Sequence, residues 1–465
     1  MNTICAAGTG SFLDQQASRM GVSIEKEFGE LAMKSVKPPR IAGRCSVFAK
    51  TDMIHLQQQG TPDYDIVAGL CFALARTFRS NICRGKELKP AVSFHGGVAY
   101  NSGMERAFRE ILSMPGDEFI IPVHHAFMGA IGAALLSEGS GMRFSGTEKL
   151  EEYLEKPREA AKGMEPLSPP AREEGRYSIA TPSPAKVSPG EKREAFLGID
   201  VGSLSTNVVA LDSEGRMMSW RYLPTGGRPI EAVKRGIREV GEEVAAVTII
   251  RGVCTTGSGR YLTGDFVGAD MVKNEITAQA TAAIRTDPSV DTIFEIGGQD
   301  SKYISIDKGA IVDFEMNKVC AAGTGSFLEE QAERLGINIK EEFASLSFSS
   351  ASPVQLGERC TVFMETDIVH HQQMMSETKD LCAGLSYSIA SNYLNRVVGR
   401  KKIGERIFFQ GGVALNRSVV AAFEKILGKK ITVPPYNEVT GAIGAALLAR
   451  AESGRWPASR AWRCC

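Results

Sequence analysis

The sequence predicts an α/β protein made of one complete module and half of a related one. Apolar runs over 196–201 and 291–296 each end in a turn of glycine with acidic or hydroxyl residues, and a second strand-like run follows each turn. Helix-like segments over 229–244 and 271–286, with a strand-like run over 245–254, lie between these hairpins. A long stretch of the chain also occurs twice, and this repeat indicates the additional half module.

The repeat fixes the predicted domain organisation. MNTICAAGTGSFL at 1–13 recurs as MNKVCAAGTGSFL at 316–328, an offset of 315 residues that becomes 312 near the end of the repeat. Further matches are Arg44-Cys45 with Arg359-Cys360, His55 with His370, Gly96-Gly97 with Gly411-Gly412, and Gly129-Ala130 with Gly441-Ala442. Nothing upstream matches 195–315. We therefore expect a complete module over 195–450 and, over 1–137, only the second half of another module, which begins in mid-domain.

The segment between the two copies, 138–194, is rich in proline and charge, as in Pro169-Pro170. Such a composition buries little apolar surface, so we predict a linker that is long enough to let the two copies meet. Residues 451–465 are predicted to form a tail.

Composition excludes several classes of protein. Lys+Arg and Asp+Glu both number 54, so the formal net charge is zero, which argues against a nucleic-acid or anionic-membrane surface. We find no run of about 18 apolar residues and no signal peptide at Met1, so we expect a cytoplasmic protein. In that compartment the ten cysteines are better interpreted as thiols, metal ligands or redox groups than as disulfides.

The first hairpin has the residues of a phosphate-binding turn. Gly202 permits close approach of the backbone to a phosphate, and Asp200 beside it could hold Mg2+ through water. The hydroxyl residues that follow supply further donors, namely Ser203, Ser205 and Thr206. An ordinary β-hairpin would explain these residues equally well when they are taken alone.

The second hairpin strengthens this interpretation. It contains Gly297, Gly298, Gln299 and Asp300, and two such turns could grip a nucleotide's phosphates from opposite sides. The glycine pair Gly411-Gly412, after a strand-like run, would let the backbone approach an adenosine.

A pair of cysteines recurs in both copies with the same spacing of 40 residues, Cys5 with Cys45 and Cys320 with Cys360. A helix is predicted to start near Gly323–Ser326, and a helix N-terminus favours thiolate over thiol. Each pair is half of a four-thiolate site, which suits a [4Fe–4S] cluster or tetrahedral Zn2+. Two buried free cysteines in each copy would be the non-functional alternative.

These motifs together resemble the activators of 2-hydroxyacyl-CoA dehydratases and the ATPase subunits of benzoyl-CoA reductases. The resemblance covers 196–448 in full and 1–137 in part, and the tandem arrangement is similar to that of large fused activators. It rests on Gly198–Ser203, Gly297–Lys302, Asn317–Gly325 and Arg359–Phe363.

The resemblance implies an actin-like fold, in which ATP lies between two ribonuclease-H-like lobes. It implies ATP hydrolysis coupled to delivery of a low-potential electron to a dehydratase-like or benzoyl-CoA reductase-like partner, with reduced ferredoxin or flavodoxin as donor. Members are homodimers that share one [4Fe–4S] cluster, so an intrachain pseudo-dimer is the other arrangement open to this chain.

The resemblance also implies roles for individual residues. Asp200, Gln299 and Asp300 would be catalytic, with Mg2+ at the phosphates. The nucleotide would contact Gly198, Gly202, Ser203, Ser205, Thr206, Gly297, Gly298, Gly411 and Gly412. The cluster ligands would be Cys320 and Cys360, with Cys5 and Cys45 as the matching pair.

Two positions depart from the family pattern. Asn207 stands where lysine is usual, and Gln279 where histidine is frequent, and both lie near the expected cleft. Two other functions remain open at this point. A small-molecule kinase of the same fold group would explain the phosphate turns, and a non-enzymatic cysteine redox or metal scaffold would explain the thiols.

Overall fold

The computed structural model describes residues 8–42, 46–83, 86, 88–138, 146–148, 151, 163–170, 192–317 and 321–452. The chain divides into two compact units. The first comprises Met1–Met164 together with Arg359–His370, and the second comprises Glu165–Glu358 together with His371–Cys465. A short segment of the second sequence copy therefore belongs to the same unit as the first copy.

The first unit is mainly helical. Its helices are α1 (Gly10–Met20), α2 (Phe28–Lys34), α3 (Ser46–Gln58), α4 (Asp63–Phe78), α5 (Ser102–Leu112) and α6 (Met128–Ser137). Two short parallel strands complete it, β1 (Val92–Ser93) and β2 (Phe119–Ile120). Phe12, Phe28, Ile66, Met104 and Phe108 belong to a shared hydrophobic core.

The helical run Asp63–Cys83, α4 with the π-helical turn after it, is long and apolar enough to cross a membrane by length and composition. Its most apolar window is 61% buried inside the fold. The described part of the chain contains no other helix that passes this test, and a core helix passes it as readily as a membrane span does.

The second unit begins with a five-stranded lobe. Its elements are β3 (Arg193–Val201), β4 (Ser205–Asp212), β5 (Met217–Pro224), α7 (Pro229–Val244), β6 (Thr248–Thr256), α8 (Arg260–Val267) and β7 (Met271–Val272). The next helix, α9 (Glu275–Thr286), packs on the sheet of the other lobe through Ile276, Ala280 and Ala283. The strand order is β5-β4-β3-β6-β7. β4 runs antiparallel to both of its neighbours, β3 and β5, whereas β6 and β7 run parallel to β3.

The second lobe repeats that arrangement. Its strands are β8 (Thr292–Ile296), β9 (Ser301–Asp307), β10 (Ala310–Met316), β11 (Ile407–Gln410) and β12 (Ile431–Thr432). Its helices are α10 (Gly325–Leu335), α11 (Phe343–Ser349), α12 (Thr361–Gln373), α13 (Thr378–Tyr393) and α14 (Arg417–Leu427), although the start of α12 belongs to the first unit. The last helix, α15 (Thr440–Ala451), packs on the sheet of the first lobe. The order β10-β9-β8-β11-β12 has the same connectivity as in the first lobe, so the complete module contains two lobes of one topology.

Helix α15 packs closely on both β3 and α9. A Cβ at Gly198 would overlap the backbone carbonyl of Ala442, and one at Gly444 would overlap that of Ala278. Glycine is therefore required at both positions because backbone lies directly against backbone.

Part of the proline-rich segment packs on the second unit. In residues 163–170, Leu167 is 3% exposed, and the Tyr387 hydroxyl donates a hydrogen bond of 2.7 Å to the Glu165 carbonyl. Lys425 forms an ion pair with the Glu165 carboxylate. This portion of the predicted linker is thus fixed to the second unit, because Leu167 is buried and Glu165 is bonded to Tyr387 and Lys425.

Candidate functional site

Asp200 lies near the end of β3, with its carboxylate packed between two glycines. A Cβ at Gly257 would overlap its Oδ1, and one at Gly441 would overlap its Oδ2. Burial raises the pKa of Asp200 to about 7, and the nearby Glu275 carboxylate adds to this effect while Lys302 opposes it. The carboxyl group is therefore tightly positioned and readily protonated near neutral pH.

The first turn is a closed hairpin tip. The Gly202 N–H donates to the Ser205 carbonyl at 2.8 Å, and the Thr225 hydroxyl donates to the Gly202 carbonyl at 2.9 Å. Thr206 is buried and shares a 2.9 Å hydrogen bond with Thr225. Ser203 is exposed, so of these hydroxyls it is the most accessible to a ligand.

The second turn is built over a buried lysine. The Gly297 N–H donates to the Asp300 carbonyl at 3.0 Å. Lys302, with 4% of its side chain exposed, lies 2.8 Å from Glu295, 3.0 Å from Asp300 and 3.9 Å from Glu275. Burial alone would lower the pKa of Lys302, but the three carboxylates together raise it. Burial also raises the pKa of Glu295 to about 7, although Lys302 opposes this.

The two turns face each other within the second unit. The Leu204 side chain packs directly on Gly298, where a Cβ would overlap it. Beside them, Gly411 adopts a φ of 88° and is held by the Asn437 carbonyl, which accepts its N–H at 2.8 Å. The structure therefore brings together both predicted phosphate turns and the predicted glycine pair, while Gly198 lies beneath α15.

Three residues of this site were not identified from the sequence, namely Glu275, Glu295 and Lys302. Glu295 and Lys302 are directly opposed in the β8–β9 hairpin. Counting outward from the turn at 297–300 would have paired them, since a two-stranded hairpin fixes its own register. Glu275 comes from α9, and no local signal in the sequence places it there.

The predicted cysteine ligands are only partly described. Cys5, Cys45 and Cys320 lie outside the described residues, whereas Cys360 is 2% exposed and directly precedes α12. Its carbonyl accepts the Met364 N–H at 2.9 Å. In the described ranges, no three His, Cys, Asp or Glu side chains are grouped to hold a metal ion. Convergence of the four cysteines stays a prediction.

Helix α12 also contacts the first sequence copy. The Gln15 side chain on α1 donates a 3.0 Å hydrogen bond to Glu365 on α12, and both residues belong to the first unit. The helix that follows the second copy's Cys360 thus packs on the helix that follows the first copy's Cys-Ala-Ala-Gly motif.

Comparison with known proteins agrees with this geometry. The model of the BadF/BadG/BcrA/BcrD ATPase family matches residues 1–137 and 197–449. The chain belongs to this ATPase family. The two separate matches correspond to the predicted half module and the predicted complete module, which is consistent with a tandem arrangement.

Relatives of the family are similar mainly to the complete module. The (R)-2-hydroxyglutaryl-CoA dehydratase activating ATPase of Acidaminococcus fermentans is 34% identical over 259 residues, which are 54% of this chain and 96% of that protein. One of the benzoyl-CoA reductase subunits of Thauera aromatica is 28% identical over 270 residues, covering 54% of this chain and 91% of its own.

A solved structure is similar to this chain in three dimensions as well. The activator of the 2-hydroxyisocaproyl-CoA dehydratase from Clostridium difficile, with bound ADPNP, is 30% identical, with a TM-score of 0.51 over 56% of this chain and 96% of that one. The family resemblance and the actin-like ATPase fold predicted from the sequence are therefore confirmed.

Proposed function

We propose that the protein is an ATP-driven activator that passes a low-potential electron through a [4Fe–4S] cluster to an acyl-CoA enzyme. The partner would resemble a 2-hydroxyacyl-CoA dehydratase or a benzoyl-CoA reductase, and the donor would be reduced ferredoxin or flavodoxin in the cytoplasm. The observation that carries this proposal is a direct hydrogen-bonded connection between the second phosphate turn and the Cys320 segment.

The connection has two ends. On one side of Cys320, the Asn317 N–H donates to the Ser301 carbonyl at 2.8 Å. On the other side, the N–H groups of Gly325 and Ser326 donate to the carbonyls of Gly297 and Gly298, each at 2.8 Å. A nucleotide that moves the turn would therefore move both flanks of Cys320 with it.

Additional contacts stiffen this connection. The Asn317 side chain donates to the Ala322 carbonyl at 3.2 Å, and the Tyr393 hydroxyl donates to the Lys302 carbonyl at 2.7 Å. The backbone of Tyr393 also lies against Gly323. ATP shifts a conformational equilibrium only if it binds one state better than the other. A phosphate turn that moves as one rigid body with the flanks of Cys320 would pass such a preference on to the Cys320 segment.

The catalytic roles follow from the geometry of the turns. Lys302 lies 3.0 Å from the accessible Asp300 carboxylate and holds it in position. Gln299 lies beside Asp300 on the same turn, and these two side chains can orient an attacking water. Bound Mg2+ would neutralise developing phosphate charge, with Asp200 across the cleft. Ser203 and the turn N–H groups would position the phosphates.

The cluster would be held by Cys320 and Cys360 with a second pair, either Cys5 and Cys45 of the same chain or the same two cysteines of a second chain. Cys360 fits such a role because it directly precedes a helix, where the positive end of the dipole favours a thiolate. When bound, the cluster would supply one-electron storage at low potential.

The test uses the full chain purified without oxygen. We expect iron and sulfide to be present, and Mg·ATP to shift the potential of the cluster. Asp300→Ala should lower ATP turnover by about 10²-fold, as loss of one preorganised charged group does. Asp307→Ala, at the exposed end of the strand β9 that follows Asp300, should not. Equal turnover in the two variants, or a potential that does not change with nucleotide, would contradict the proposal.

A further inference from the structure

Three side chains form a row across the middle of the first lobe. Asp200 on β3 is directly opposed to Asn207 on β4 and to Thr256 on β6. Directly opposed residues on neighbouring strands project from the same face of a sheet. Asn207 and Thr256 therefore flank the Asp200 carboxyl group on its own face.

Both flanking residues bury an oxygen that has no hydrogen-bond partner. Asn207 is 4% exposed and Thr256 is fully buried. The Asn207 Oδ1 and the Thr256 Oγ1 lack a partner among the described residues. A buried polar atom without a partner destabilises a fold, so two such atoms beside one carboxyl group call for an explanation.

The charge of the cleft indicates which ligand would satisfy these oxygens. Two of the charged groups that act most on Asp200, Glu275 and Asp300, are carboxylates. The third is Lys302, which is already ion-paired to three carboxylates. A triphosphate entering this acidic site would need a cation of its own.

The amide of Gln279 supplies no positive charge either. Its Oε1 accepts the Thr440 hydroxyl at 2.6 Å, and its Nε2 lies beside Gly441, the glycine that also contacts Asp200. The polar groups nearest Asp200 on three sides are thus neutral, namely the amides of Asn207 and Gln279 and the hydroxyl of Thr256.

The donor set fits a hydrated Mg2+ ion. The row offers one carboxylate, one amide oxygen and one hydroxyl, all hard oxygen donors. Mg2+ gives up its waters reluctantly and is usually held through one or two carboxylates with substrate phosphates, so a single acidic residue in the row is sufficient.

We propose that Asn207 and Thr256 are positioning residues for the hydrated Mg2+ that enters with ATP, holding its waters on either side of Asp200. Nucleotide binding by this chain then depends on the divalent cation, because Lys302 is already ion-paired and Arg260 donates to the Gly257 carbonyl at 3.0 Å beside Asp200. This inference rests on the proposed nucleotide role of the cleft.

The first test is titration calorimetry of the full chain with ADPNP at a series of free Mg2+ concentrations. Asn207→Leu and Thr256→Val should each raise the Mg2+ concentration for half-maximal binding by about tenfold, the equivalent of one hydrogen bond of about 1.4 kcal/mol. Affinity at saturating Mg2+ should change far less. Thr263→Val is the matched control, because Thr263 also buries an unpartnered hydroxyl but lies on α8, outside the row.

The second test adds a positive charge. Asn207→Lys should bind ADPNP in EDTA at least ten times more tightly than the parent chain, whereas Asn207→Leu should not. Unchanged Mg2+ midpoints in Asn207→Leu and Thr256→Val, together with no tighter binding of ADPNP in EDTA by Asn207→Lys, would overturn this inference alone, provided that the parent chain still binds ADPNP. Absence of ADPNP binding by the parent chain at any Mg2+ concentration would instead overturn the proposed function.

Discussion

Asp200 and Glu295 are carboxyl groups that burial makes hard to ionise, with pKa values raised to about 7 from ordinary values of 3.8 and 4.5. Because the folded state disfavours their charged forms, these groups favour folding at low pH. That contribution is lost as the pH rises from about 4 to about 7. A nucleotide whose Mg2+ is held by Asp200, as proposed, would prefer the ionised form of this carboxyl group, so binding should oppose the loss.

We therefore expect the melting temperature of the nucleotide-free chain to fall between pH 5 and pH 7.5, and the fall to be smaller with Mg·ADPNP present. Asp200→Asn removes one of the two titrating groups and should flatten the dependence. Asp307→Asn, at an exposed site, is the control. Identical pH dependence in Asp200→Asn and the parent chain would show that Asp200 does not carry this linkage.

Single residues were predictable where a motif named them and not where the contact came from a distant element. Asp200 and Asp300 stand out in the sequence because each lies at a glycine turn. Lys302 was visible in the motif but received no role, although the hairpin register could have paired it with Glu295. Its contact with Glu275, on a separate helix, depends on tertiary packing, which a single sequence does not specify.

Individual elements were predicted well where local signals agreed. The helix over 229–244 begins at Pro229 and ends at Val244 as expected, since proline favours a first helical turn. The helix expected over 271–286 instead begins at Glu275, because Asn274 caps it by accepting the Thr277 N–H at 2.8 Å. The strand expected over 245–254 is preceded by a 3-10 turn, Ala245–Val247.

The repeat supplies a matched test of the connection between turn and cysteine segment. The Asn317 side chain joins the two ends of the connection by donating to the Ala322 carbonyl at 3.2 Å, and Asn317→Ala removes this bond while keeping the backbone N–H that donates to Ser301. Its counterpart Asn2 has no matching phosphate turn within residues 1–465. Hydrogen exchange should show the amides of 321–328 responding to Mg·ADPNP in the parent chain and in Asn2→Ala, but several-fold less in Asn317→Ala. An equal response in all three would show that Asn317 does not transmit the nucleotide signal.

At the scale of the whole molecule, the two copies differ in what covers their last helix. Leu135 on α6 is 66% exposed, while its counterpart Leu447 on α15 is 7% exposed, packed in the core beside Val209 and Val439. Val209 lies in 195–315, the segment that matches nothing else within residues 1–465, so the difference accords with the repeat. The sequence did not predict that α1 would contact α12.

The contact between Gln15 and Glu365 makes an intrachain cluster the arrangement to test. Tethering the two cysteine pairs in one chain gives an effective concentration on the order of millimolar, so intrachain pairing should prevail over dimerisation in dilute solution. We expect Cys5→Ser/Cys45→Ser to lose the cluster or convert the chain to a cluster-linked dimer, as measured by iron per chain and by light scattering.

The double variant Cys71→Ser/Cys83→Ser changes two cysteines of the same copy that have no counterpart in the second, and it should leave iron content and mass unaltered. If Cys5→Ser/Cys45→Ser behaves in the same way, the cluster is formed by Cys320 and Cys360 of two chains.

The close packing of α15 restricts the kind of motion available to the complete module. At Gly198 and Gly444 backbone lies directly on backbone, so the elements that meet there have no slack to slide past each other. Opening of the cleft is therefore expected to be a rotation about an axis formed by α9 and α15, and not a shear between layers. Such collective rotations usually take microseconds to milliseconds.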